Sequence, residues 1–459
     1  MKLHADAALL PQGWARDVAI EIGADGRISS TTAGAARDAT VERIEGFVLP
    51  GMPNLHSHAF QRAMAGLAEA RTHPEDSFWT WRELMYRFAS RITPRQMHDV
   101  AAWLYVEMLK AGFTSVAEFH YVHHDAGGKR FADTSEMSHR IVSAAQSAGI
   151  ALTHLPVLYQ YGGFNAKSPR PGQERFILSP GDHLRLVESL HGQYAATPGV
   201  RIGAAFHSLR AVDPGAIAAG AHALRVLDAS LPLHIHIAEQ EREVEECVAW
   251  SGERPVRWLL EHVRPDARWC LVHATHLDAS ELAGLAASGA VAGLCPSTEA
   301  NLGDGVFPAE PYLADPKPGA FGIGSDSHVE VSVASELRLL EYGQRLVRGR
   351  RAVLASHAHA SPGERLYADA AAGGARALGI EAGRIASGCR ADLVVLDPQH
   401  RALWNKEPVR ALDAWIFAGD NGCVRDVMVG GTWRIRDRRH DAEDDLARRY
   451  RAAQAALVA

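Results

Sequence analysis

The chain has 459 residues, more than one small domain needs and enough for a barrel of about 250 residues with a second module beside it. Hydrophobic residues make up 47% and the formal net charge is −6, so a large core needs no staples, and no basic patch marks a nucleic-acid or membrane partner. Five cysteines without a CxxC spacing and an N-terminus without a long apolar run fit reduced thiols in a cytoplasmic protein with no signal peptide; the Gly/Ala-broken stretch Leu282–Cys295 is too short to span a membrane.

Residues 1–49 read as β-rich. Asp17 to Ile22 alternates apolar and polar residues, Ala24-Asp25-Gly26 supplies a turn, and Arg27-Ile28 resumes the pattern. Similar pieces return near the other end. Ala391 to Asp397 is one, and Val424 to Ile435, turning at Gly430-Gly431, reads as a hairpin. Two β-rich ends around a different middle predict a small discontinuous β-sandwich built from residues 1–49 and 385–440. The last segment, 441–459, carries an Ala/Arg-rich amphipathic helix from Asp444 onward, suited to packing or to a dimer surface.

The middle, 50–384, carries apolar segments that alternate with helical or loop stretches. They are Phe47–His58, Ser115–Tyr121, Ala151–Tyr159, Arg201–Leu209, Leu233–Glu239, Cys270–His276, Ala290–Thr298 and Phe321–His328. Strands buried on both faces read as continuous apolar runs. Strands alternating with helices predict a parallel sheet, and eight such units predict an α/β fold closed as a (β/α)8 TIM-type barrel.

Active sites of such barrels lie at the C-terminal ends of the strands, so polar residues there carry the functional reading. Asn54-Leu55-His56-Ser57-His58 places two imidazoles on one face of a strand, able to converge on a metal. Leu233 to Glu239 holds a second HxH. Spacing leaves His234 and His236 both open, but His236 lies nearer the strand end, His234 a layer deeper, and Glu239 just past the strand as an acid/base group. His273 ends the sixth segment. Asp326 follows the small-residue run Gly322 to Ser325, where a buried carboxylate costs several kcal/mol unless it is paired or metal-bound.

These four elements, in this order, resemble the amidohydrolase superfamily. The likeness spans nearly the whole chain, including Val48 to Asn54 ahead of the first HxH and Ser387 to Val395 near the end. The resemblance implies that His56, His58, His236 and Asp326 hold a divalent metal and that His273 touches the attacking water or the substrate. Many members bridge two metals with a carboxylated lysine on the fourth strand. Here Gly203 to Leu209 has none, and no lysine occurs between Lys167 and Lys317, so one metal per subunit is expected. Zinc is the first choice, although Fe(II) and Mn accept the same donors. This places the chain with the mononuclear deaminases, in which Asp326 takes a proton from water, Glu239 carries one to the departing nitrogen, and His273 steadies the attacking oxygen.

An aromatic base needs stacking faces and amide edges, whereas an amino-acid derivative needs cationic clamps for its carboxylates. Leu55 to Arg62, Ser77 to Glu83, Glu118 to Tyr121, His207 to Arg210 and His236 to Gln240 resemble the superfamily branch that acts on a formimidoyl amino acid in histidine degradation. That resemblance implies substrate contacts from Gln61, Arg82, Tyr121, His207 and Arg210, with the two arginines on the two carboxylates. It implies hydrolysis of N-formimidoyl-L-glutamate to N-formyl-L-glutamate and ammonia, by a homodimer. Two alternatives stay open: a deaminase of an aminoheterocycle such as guanine or cytosine, and a non-catalytic binding protein of the same fold. The paired arginines weigh against the first, and the complete ligand set with Glu239 and His273 against the second. Trp79 and Trp81 read as packing residues of a lid helix. His120, His123, His124, His154, His276 and His328 read as structural, with His328 nearest the chemistry.

Overall fold

Gly51 divides the apolar run 47–58 between two sheets, where continuous hydrophobicity predicts one strand. Glu42–Pro50 pairs with Lys2–Leu10 and Leu393–Leu396, whereas Met52–Ser57 pairs with Phe113–His120. A Cβ on Gly51 would lie 2.3 Å from Thr114 Oγ1, so the crossing tolerates no side chain. These features come from a computed structural model, which describes residues 1–38, 40–70, 78–314 and 317–459, and the side chains of all of these but 78–80.

The two chain ends meet in one eight-stranded sheet. Lys2–Leu10, Gly13–Ile22, Ile28–Thr32 and Glu42–Pro50 come from one end; Leu393–Leu396, Val424–Val429, Thr432–Arg436 and Arg439–His440 come from the other. The edge strand Ile28–Thr32 reaches back to the segment that leads into Leu393–Leu396: the Ile28 N–H donates to the Cys389 carbonyl at 2.8 Å and the Ala391 N–H to that of Gly26 at 2.9 Å. Leu3, Val18, Ile20, Ile44, Leu393 and Met428 form the core it encloses, separate from that of the barrel.

The second sheet is parallel and runs through Met52–Ser57, Phe113–His120, Ala151–Leu158, a broken fourth strand, Leu233–Ile237, Trp269–His273, Val291–Leu294 and Ala320–Ile323. Phe113–His120 and Ala151–Leu158 are buried throughout, so neither alternates between a buried and a solvent-facing side. Beyond the division at Gly51, the sixth and eighth strands end at His273 and Ile323, short of the predicted His276 and His328, and the fourth and seventh strands also differ from the predicted segments. The fourth strand splits into Val200–Ile202 and Ala204–Phe206 at Gly203, where a Cβ would meet Leu155 Cδ2 at 2.5 Å. The seventh stops at Leu294 rather than running on to Thr298, because Pro296 opens the helix Pro296–Leu302, where its missing N–H costs nothing.

The first and eighth strands close the barrel at the site itself. Ser57 bridges Asp326, the His58 N–H donates to the Asp326 carbonyl at 3.1 Å, and the Asp326 N–H donates to that of His56 at 3.0 Å. The C-terminal helix Glu443–Val458 packs against Pro94–Lys110, with Lys110 Nζ 2.5 Å from Glu443 Oε1. It also reaches the 3-10 turn Ala59–Met64 that follows the first HxH: the Tyr450 O–H donates to the Arg62 carbonyl at 3.3 Å and Gln454 Nε2 to that of Ala63 at 3.2 Å. All five cysteines are free and buried, and among the described residues no helix is long and apolar enough to cross a membrane.

Candidate active site

Three imidazoles converge at the C-terminal mouth of the barrel. His56 Nε2 lies 3.1 Å from His58 Nε2 and 3.0 Å from His236 Nε2. Backbone carbonyls orient two of these rings: His58 Nδ1–H donates to Phe119 O at 2.9 Å and His236 Nδ1–H to His207 O at 3.1 Å. Each then turns an Nε2 lone pair inward. Burial holds His56 down to about 3 and keeps His58 and His236 below the ordinary imidazole range, so all three are neutral at pH 7. Asp326 Oδ1 completes the set at 3.5 Å from His56 Nε2 and 3.4 Å from His58 Nε2. Converging lone pairs and a buried carboxylate repel one another unless a cation sits among them, so the donor set fits one divalent ion. His234, by contrast, points away and bonds the Ala377 carbonyl at 2.8 Å.

His273 and Glu239 stand over this cluster. His273 Nε2 is 3.7 Å from Asp326 Oδ2 and 3.8 Å from Glu239 Oε1, and its Nδ1–H faces Glu299 Oε1 at 3.3 Å. Burial works to lower His273, but Glu239, Glu299 and Asp326 outweigh it and push the ring up to about 10. Glu239 goes up to about 7, because burial outweighs the attraction of His273 and Arg210. Asp304, not singled out in the sequence, closes the group: it accepts from Gln240 Nε2, and burial pushes it up to about 9. Non-glycine residues with positive φ cluster at these strand ends: Ala238 (49°), His273 (68°), Ala274 (49°), Asp326 (47°) and His328 (59°). Such backbone persists only where its surroundings over-determine it, and it gathers at functional sites.

A buried polar network beneath the candidate ligands also escaped the sequence reading. Glu118 accepts from Ser57 Oγ at 2.6 Å, the Ala59 N–H at 2.7 Å and the Tyr105 O–H at 3.2 Å. His328 bridges Ser57 Oγ at 3.1 Å and Ser325 Oγ at 3.0 Å, and Asn54 Nδ2 donates to Ser325 Oγ at 2.6 Å. The network ties the residues flanking His56, His58 and Asp326 into one unit. A lone acid inside the apolar strand Phe113–His120 was the available signal.

The cavity above His58, His236 and Asp326 is lined by all five predicted substrate contacts, Gln61, Arg82, Tyr121, His207 and Arg210, together with Glu239 and His273. His56 lies below its floor. Gln61 Nε2 donates to the Tyr121 hydroxyl at 2.9 Å, which leaves the buried Gln61 Oε1 without a hydrogen-bond partner among the described residues. Arg82 lies over the Tyr86 ring at 5.5 Å. Arg210 Nε sits 3.8 Å from Glu243 Oε2, a buried carboxylate the sequence reading also missed. Trp81 joins the lining, whereas the side chain of Trp79 falls outside the described residues. His123, His124 and His276 bond the carbonyls of Val157, Ile177 and Asp304, each on a structural errand.

Known proteins resemble this chain along nearly its whole length. Residues 47–434 match the model of the Amidohydrolase family, and residues 2–45 match that of the N-terminal domain of the formimidoylglutamate deiminase HutF. The chain is 55% identical to the formimidoylglutamate deiminase of Pseudomonas aeruginosa, over 98% of this chain and 97% of that one. It is 28% identical to a 5-methylthioadenosine/S-adenosylhomocysteine deaminase of Natronomonas pharaonis, over 88% of this chain and 85% of that one. Among solved structures it superposes on an amidohydrolase from Brucella melitensis with a TM-score of 0.93 and 47% identity over the whole of both chains. The chain therefore belongs to the amidohydrolase family.

Proposed function

We propose that this chain hydrolyses N-formimidoyl-L-glutamate to N-formyl-L-glutamate and ammonia, a step in histidine degradation, with one zinc ion per subunit held by His56, His58, His236 and Asp326. One observation carries the reading: a single cavity joins the converged donors, Glu239 and His273 to the arginine pair Arg82 and Arg210. The 55% identity to a formimidoylglutamate deiminase supports the same substrate.

When bound, the ion supplies Lewis acidity that lowers the pKa of water toward about 7. Asp326 accepts the proton that water loses as its oxygen attacks the amidine carbon. His273, cationic among its carboxylates, donates a hydrogen bond to that oxygen as negative charge develops. Glu239 delivers its proton to the departing nitrogen and takes back the proton left on the oxygen; the C–N bond breaks, ammonia leaves, a formyl C=O remains, and Asp326 releases its proton to solvent. The substrate's amidinium suits the carboxylates of Glu239 and Asp326, and its two carboxylates suit Arg82 and Arg210. Gln61, Tyr121 and His207 contact the substrate between these ends.

The deciding assay is ammonia release from N-formimidoyl-L-glutamate, guanine and cytosine. Turnover of the first alone is expected; equal or faster turnover of either base overturns the reading. Metal analysis of the purified protein should return about one equivalent, zinc predominating, and none would support a binding protein instead. A homodimer in the cytoplasm completes the proposal, and sedimentation and cell fractionation test those two parts.

A further inference from the structure

Behind the arginine pair a buried amide serves two phenols that line the cavity. Gln173 is fully buried; its Oε1 accepts the Arg170 N–H at 2.7 Å, and its Nε2 donates to the hydroxyls of Tyr86 at 2.8 Å and Tyr159 at 2.7 Å. The backbone donor at Oε1 settles which end of the amide faces the phenols. An amide NH2 can only donate, so both hydroxyls accept and each keeps its own O–H. Both phenols line the cavity, so these hydrogens are placed to donate into it.

Other contacts hold this arrangement rigid. Arg175 donates to the carbonyls of Ala89 at 2.6 Å, Ile92 at 2.8 Å and His124 at 2.7 Å, clamping the Gln173 loop to the end of the helix Phe78–Arg91 that carries Arg82 and Tyr86. Gly172, at φ 92°, lets the loop approach Tyr86, whose Cβ would be 3.0 Å from a Cβ placed there. The Tyr159 ring packs 4.3 Å from that of His207. This end of the cavity is therefore a donor surface made of Arg82, Arg210 and the phenols. A carboxylate, which only accepts, is the ligand chemistry that satisfies it.

Resting on the reading proposed above, we infer that Tyr86 and Tyr159, oriented by Gln173, donate to one carboxylate of the substrate and select a dicarboxylic amino-acid derivative over a monocarboxylic one. Gln173 is then a positioning residue and the two tyrosines are specificity determinants. The test compares three substrates: N-formimidoyl-L-glutamate, N-formimidoyl-L-glutamine and N-formimidoyl-4-aminobutyrate, the last two each lacking one carboxylate. The double variant Tyr86→Phe, Tyr159→Phe should raise KM for the first about 10- to 100-fold, the worth of a hydrogen bond to a charged group, with kcat nearly unchanged. The penalty should vanish for whichever analogue lacks the contacted carboxylate. Gln173→Glu, whose side chain accepts from the phenols and draws their hydrogens away, should reproduce the rise in KM, with melting temperature and metal content near those of the unaltered protein. An unchanged KM, or an equal loss on all three substrates, overturns the inference. Failure of the unaltered protein to turn over N-formimidoyl-L-glutamate would remove the functional reading, and this inference with it; unaltered turnover beside insensitive variants removes the inference alone.

Discussion

The two ends of the cavity are built in different ways. At the proposed metal end, His56, His58, His236 and Asp326 sit on or just beyond barrel strands, and the bridge that closes the barrel ties His56 and His58 to Asp326. Backbone hydrogen bonds hold these residues, with the strained φ values that such a scaffold can support. At the carboxylate end, Arg82, Tyr86, Tyr159 and Arg210 stand on a helix and on strand-to-helix connections, held by side chains: Gln173, Arg175 and Glu243. On the proposed reading, reactivity is placed by the barrel's backbone and selectivity by side-chain bonds between loops. Damage at the first end should appear in kcat and metal content, and damage at the second in KM.

Chelation is the harshest way to break this comparison. Removing the ion should take turnover to background and lower the melting temperature, since the ion binds only the folded donor set; restored zinc should recover both, as ammonia release and calorimetry would show. Glu239→Gln comes next. It should retain about one equivalent of metal yet lose kcat by about 10²- to 10⁴-fold, the usual worth of positioned proton transfer. A matching loss of metal would show that the two ends are not separable as described. Arg210→Met should cost about 100-fold in kcat/KM, carried by KM, and Glu243→Gln about 10-fold by loosening the same guanidinium. Unchanged kinetics in Arg210→Met would remove it from the carboxylate role.

The smallest effect concerns a support of the metal end. Glu336 accepts from the Ser297 N–H at 2.9 Å and from Ser297 Oγ at 2.5 Å, holding the start of the helix that carries Thr298 and Glu299. Burial pushes this carboxyl from its ordinary 4.5 up to about 8. The folded state therefore keeps a proton that the unfolded chain has released. The stability it contributes is complete below the unfolded value and is lost as pH rises through about 8. Glu336→Gln should flatten the decline of melting temperature between these pH values by a few degrees at most. A decline as steep as in the unaltered protein would show that Glu336 does not titrate in this way.

The metal end was legible because each of its elements is local. An HxH at a strand end, a second at the fifth segment and an acid after a glycine-rich strand can be seen within a few residues. His236 could be preferred to His234 because depth along a strand follows from sequence position, and His234 indeed bonds a helix carbonyl. The five expected substrate contacts stood on family resemblance rather than on spacing; all five line the cavity, but they enter it from separate elements. Gln173, Glu243, Asp304 and the Glu118 network carried little local signal. A glutamine in a loop or an acid in a helix looks solvated until its partners are known.

By itself the sequence determined the alternation of buried strands and helices, the β-rich ends and the donors at the strand ends, because strand period and burial write themselves into neighbouring residues. Tertiary structure alone decided where Gly51 parts the two sheets, how closure brings Asp326 onto His56 and His58, and which buried side chains hold Tyr86, Tyr159 and Arg210. Those contacts join residues far apart along the chain. Their energies depend on desolvation and on hydrogen-bond geometry, which exist only once the chain has folded.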